Sequence, residues 1–232
     1  MAAAGEVVVG AGNEQTRAEN GRDEDPRVWR MKPLLAFALA AFVLEQVPAF
    51  IGHAGSWIDL VTPFVVIGAA AWALRDARGI ALAVALVAAV MYVDGHGIHL
   101  SANDVGHYQV IAGKAERVRH FWDERFGHIE WHLGFFALLA ALAMADHRRG
   151  RPDQRGWIAA LLIGWTLFTT TVEGEDWWLT LAAAAVFAGW AFARRRATLV
   201  VSAAATLVGA FLIGVWAVWQ GGVPQFSQLG WL

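Results

Sequence analysis

Residues 79–102 read GIALAVALVAAVMYVDGHGIHLSA, and the contrast between the two halves of that stretch decides the fold and the place to look for function. The first half is uncharged over much of the span needed to cross a bilayer core of about 30 Å at about 1.5 Å per helical residue. The second half continues the same apolar run but inserts Asp94, His96 and His99, with Gly95 and Gly97 beside His96. Ionisable side chains at that depth are expensive and rarely idle.

The rest of the chain repeats the pattern. With 232 residues, 57% hydrophobic and 16% charged, and a mean hydropathy of +0.44, it is too apolar for a soluble domain of this size. Apolar spans are expected over about 33–53, 60–75, 79–102, 122–145, 157–173, 176–193 and 197–219. This predicts an all-α, polytopic integral membrane protein: a transmembrane domain of seven helices over residues 31–232, preceded by a polar tail over 1–30. The tail mixes both charge signs and lacks the apolar core of a signal peptide, so it is expected to be a disordered cytoplasmic segment, or to precede a true start at Met31.

Basic residues set the orientation. All except Lys114, Arg117, Arg119 and Arg125 fall in the tail or in alternate connections, at Arg75 and Arg78, at Arg148 to Arg155, and at Arg194 to Arg196. By the positive-inside rule the N-terminus is cytoplasmic and the C-terminus extracytoplasmic. Trp57, Trp122, Trp177, Trp178 and Trp219 then fall where an outer aromatic belt belongs. Every histidine except His147 lies in the outer half or beyond it. A net charge of -2 offers nothing to nucleic acid, and the absence of cysteine leaves imidazole and carboxylate as the metal ligands.

Counting depth along each span puts Glu45, Asp94, His96, His128, His132 and Glu173 in one slab of membrane. Glu124, His128 and His132 recur at four-residue spacing and share a helical face, while Asp123 and Glu130 share another. The glycines around His96 are expected to break the third span locally and aim it into a cavity. His99, Asn103 and His107 continue a second row toward the outer loop. Glu45, next to Gln46 and Pro48 in an otherwise apolar helix, must be protonated, paired or ligating. Glu175 and Asp176 resemble solvated turn acids, with Asp176 at the start of the sixth helix. The seventh span has no ionisable group and is expected only to pack, through Ser202, Ala203, Gly209 and Gly214.

The candidate metal ligands are therefore His96, His99, His128 and His132, with Glu45, Asp94 and Glu173 as catalytic carboxylates. Such a site fits a divalent ion, zinc or non-haem iron, in a hydrolase or oxidoreductase open to the extracytoplasmic side of the cell membrane and acting on a lipid-like substrate. Three alternatives use the same residues: haem held by two axial histidines, a metal or proton transporter, and a hydrogen-bonded structural cluster. The apolar inner halves, such as ALAVALVAAV and FFALLAALAMA, disfavour a transport path. Nothing fixes the oligomeric state. Phosphate-binding glycine loops, HExxH, GxSxG and the HxxHH of membrane desaturases are absent, and no lysine inside a span can form a retinal Schiff base. In architecture the pattern is similar to the intramembrane zinc hydrolases that include alkaline ceramidases and adiponectin receptors. Those proteins carry HxxxH in their last span, whereas HIEWH here lies in the fourth, so the likeness assigns no family.

Overall fold

The computed structural model describes residues 26–51, 53–108, 110, 112–146 and 150–231. Most of the polar tail and all of His147 lie outside the described residues, as do the side chains of His53 and His107. What is described is all-helical: α1 Pro26–Gln46, α2 His53–Ala73, α3 Ile80–Tyr108, α4 Gly113–His120, a π-helical turn Phe121–Gly127, α5 His128–Ala145, α6 Gln154–Glu173, α7 Trp177–Arg194 and α8 Ala197–Gln220. Among the described residues six helices are long and apolar enough to cross a membrane, namely α2, α3, α6, α7, α8 and the continuous stretch Gly113–Ala145. The fold is that of a helical membrane protein.

The expected first span is α-helical only as far as Gln46. Pro48 has no N–H to continue the ladder, and the chain tightens into a 3-10 turn over Val47–Phe50. α1 nevertheless packs into the bundle against α2 and α6, burying Phe37, Ala38 and Ala41 completely. The opposite correction applies to the third span. No break occurs at Gly95 or Gly97; α3 is one helix through to Tyr108.

The reason lies in the neighbouring helix. A Cβ on Gly95 would overlap the backbone nitrogen of Trp131, one on Gly127 would sit 2.9 Å from the backbone nitrogen of His99, and one on Gly134 would sit 2.8 Å from Cα of Tyr92. Lipid is as apolar as leucine, so helices in a membrane associate by close packing rather than by hydrophobic exclusion, and small residues let backbones approach. These three glycines bring α3 and α5 into backbone contact. Beneath the crossing, Leu138, Leu139, Ile163 and Leu167 are almost wholly buried in one apolar core.

A similar approach joins α6 to α8, where a Cβ on Gly209 would sit 3.2 Å from the carbonyl oxygen of Gly164, as small-residue packing of the last span requires. Gly214, expected to help, meets nothing within 4 Å.

A methyl group at the α3–α5 crossing is expected to cost about 1–3 kcal/mol through overpacking. Gly95→Ala should therefore lower the thermal unfolding midpoint of the detergent-solubilised protein. Gly97→Ala, two residues away with open space around it, should leave the midpoint unchanged or raise it slightly.

Candidate metal centre

The α3–α5 crossing places His99 opposite His128. The Nδ1 atom of His99 lies 2.7 Å from Nε2 of His128 and 2.7 Å from Oδ1 of Asp123. These three ligand atoms all fall within 4.8 Å of one another. His128 and Asp123 are almost fully buried, and His99 is the most accessible of the three.

Asp123 joins the group through the π-helical turn. The N–H of His128 bonds to the carbonyl of Asp123 five residues back rather than to that of Glu124. Widening the turn by one residue rotates the register so that Asp123 stands over His128, the position that regular α-helical spacing would give Glu124. Such π insertions are frequent at functional sites.

The three-atom group is electrostatically incomplete by itself. One proton on Nδ1 of His99 can point at the carboxylate or at the second imidazole, not at both in line, and hydrogen bonds weaken steeply off axis. A cation at their centre satisfies all three lone pairs together. Ligands around a tetrahedral zinc stand about 3.3 Å apart, a little wider than the two contacts present, so a small opening of the rings accommodates an ion. The same 2.7 Å gap leaves no room for a porphyrin plane between His99 and His128.

The surroundings hold this group in place. Arg119 donates from Nη1 to Oδ2 of Asp123 at 2.8 Å, and its remaining donors grip Glu116 at 2.8 and 3.0 Å. A buried carboxylate needs such a partner, and fixing one oxygen leaves the other aimed at the histidines. Trp131 stacks on His99, with ring centroids 5.7 Å apart, and meets His128 edge-on. Gly174 closes the other side: a Cβ there would overlap Nδ1 of His128.

The remaining sequence-derived residues divide in a way that spacing could not reveal. His132, one turn below His128 with ring centroids 5.8 Å apart, bonds through Nδ1 to Oδ2 of Asp176 at 2.6 Å. Its Nε2 is buried without a partner among the described residues. Asp176 is thus no solvated turn acid; it is 2% exposed and belongs to this pair. The reversal that delivers it passes through Glu175 in the left-handed region at φ 55°. His96 bonds through Nε2 to the carbonyl oxygen of Asp59 at 3.0 Å, which turns it toward α2 and away from the three-atom group. Glu45 accepts a hydrogen bond from the hydroxyl of Tyr92. Glu173 accepts from the backbone N–H groups of Phe226 and Ser227 at 2.8 and 3.3 Å, so it clasps the C-terminal segment.

Asp94 is the displaced member. Because Gly95 and His96 occupy the bundle-facing side of α3, the preceding residue points about 100° away, into an apolar groove on the outside of the helix that touches neither His99 nor His128. It is not a member of the three-atom group. Asp123 and Asp176 are the acids bonded to these imidazoles that spacing missed; neither carries a local sequence signal beyond lying in the outer half, since a π turn and a tight reversal supply their positions.

His99, His128, Glu45 and Glu173 all line a single cavity of about 930 Å³. Comparison with protein-family models, curated proteins and solved structures gives no match.

Removing the Arg119 support should weaken metal binding by about 10–100-fold, the usual effect of losing a partner behind a ligand. This can be read by competition of Arg119→Gln and the unaltered protein with a zinc indicator. Gly174→Ala, which displaces the His128 ring, should weaken binding at least as much in the same titration.

Proposed function

We propose that the chain is a seven-span membrane metalloenzyme that hydrolyses a lipophilic ester, amide or phosphodiester at a centre formed by His99, His128 and Asp123. The convergence of three ligand atoms on one point, with each of the 2.7 Å contacts ending on the same imidazole nitrogen, carries this reading. α1, whose apolar run begins near residue 33, serves as the additional span. The distribution of basic residues supports a cytoplasmic N-terminus and an extracytoplasmic C-terminus, with the centre in the outer half of the cell membrane.

Zinc, when bound, supplies a Lewis acid and a nucleophilic water near neutral pH. The chain's own residues supply the rest. Arg119 fixes Asp123 from behind. Asp176 accepts a hydrogen bond from the Nδ1–H of His132, which leaves the lone pair on Nε2 free to accept a proton one turn below the centre. Glu45, held by Tyr92, lines the cavity that His99 and His128 also line and can carry a proton along it. The apolar core beneath, around Phe37 and Leu138, keeps the reaction off any route to the other side and weighs against transport.

Two histidines with one carboxylate also suit non-haem iron, which would make the chemistry oxidative. Elemental analysis of the detergent-purified protein separates the two. About one equivalent of zinc or iron per chain is expected, falling at least tenfold in His99→Ala/His128→Ala, and a chelator should lower the unfolding midpoint because metal binds only the folded state. A double variant that folds and retains its metal would place the centre elsewhere.

A further inference from the structure

The cavity beside the centre has a one-sided chemistry. Glu45, Asp59, Asp104, Glu124 and Glu173 all line it, and among the described residues no lysine or arginine does. The neighbouring cation, Arg119, faces the outer groove and is held by Glu116 and Asp123. The partners seen for the cavity carboxylates include the neutral donors Tyr92, Ser56, Gln225 and backbone N–H groups. His96 stands 3.6 Å from Asp59 and is the one ion-pair partner of these five acids among the described residues. A divalent ion at the centre offers two positive charges against up to five carboxylates, Asp123 being already balanced by Arg119.

The same lining is rich in aromatic rings. Trp165, Trp216, Trp219 and Trp231 belong to it with Phe168 and Phe226. Trp216 stands with ring centroids 5.1 Å from Trp231 and 4.8 Å from Phe226, so the rings form a fixed surface rather than separate side chains. Aromatic faces attract cations, tryptophan most strongly, and the attraction grows where water is excluded. Acids and tryptophans lining one membrane cavity select for positive charge on an apolar body. An anionic head would have to be desolvated against several carboxylates, with like charges costing several kcal/mol.

From this we infer that the cavity binds an amphiphile whose head carries a positively charged nitrogen, primary ammonium or quaternary, on a long apolar tail, and that it rejects anionic lipids. The inference rests on the hydrolase reading only for its consequence, that the substrate or product of the centre is a cationic lipid; the binding preference stands without a metal.

Four probes of equal chain length test it on the full chain in nanodiscs: dodecylamine, dodecyltrimethylammonium, dodecanoate and dodecyl phosphate. Binding is followed by tryptophan fluorescence and by the shift in unfolding midpoint, with empty nanodiscs correcting for partition into lipid. At least one cationic probe should bind tenfold or more tighter than both anionic probes. Glu124→Gln/Asp104→Asn should reduce that preference to threefold or less while metal content stays unchanged. Equal or tighter binding of an anionic probe would overturn the inference, as would an undiminished preference in the folded acid variant. The outcome is separable from the metal reading: His99→Ala/His128→Ala should lose metal and keep the cationic preference, whereas a native chain free of metal that still selects ammonium would remove the hydrolase and leave the binding site standing.

Discussion

The backbone contact between α3 and α5 is the constraint on which the rest depends. Helices in lipid gain nothing from hiding leucine, so they hold together by fit, and Gly95, Gly127 and Gly134 provide the fit here. That contact sets His99 against His128 at 2.7 Å. A single larger residue at the crossing would move two imidazoles on different helices apart by more than a metal–ligand bond tolerates. Packing and site geometry are therefore one problem in this protein, solved by the same glycines.

Around the crossing, three of the buried polar side chains take a partner from another element. Arg119 of α4 steadies Asp123, Asp176 at the head of α7 steadies His132, and Tyr92 steadies Glu45. An imidazole that donates one ring proton to a carboxylate is fixed in a tautomer whose other nitrogen is a lone pair, the state in which it binds a metal or takes a proton. The C-terminal segment belongs to the same arrangement. Glu173 accepts two of its backbone N–H groups, and Phe226 and Trp231 complete the aromatic wall against Trp216. The last span, inert in its own sequence, thus contributes a face of the cavity.

The two halves of the cavity ask for different things. His99, Asp123 and His128 ask for a cation small enough to sit among three lone pairs. The carboxylates and tryptophans ask for a larger, softer one. A single amphiphile meeting both would place its ammonium head among acids and aromatic faces, with a hydrolysable bond near the imidazoles.

Much of this was legible in the residues. Composition and span length gave a helical membrane fold because a bilayer admits few other solutions, and the clusters of ionisable groups within apolar spans singled out His99 and His128 because such groups are rare there. What failed was what period and depth cannot carry. Asp123 replaces Glu124 above His128 because one turn is π-helical, and no residue pattern announces a change of register. Asp94 turns outward although its neighbour His96 turns in, since facing is set by which side of α3 the glycines press against α5. Asp176 resembled a solvent acid because its partner His132 lies far away in sequence, on another helix. The amino-acid sequence by itself determined that these groups lie on or beside apolar helices of membrane-spanning length; the tertiary structure alone decided which of them touch, because contact between helices depends on rotation and close approach, and neither is written in any single span.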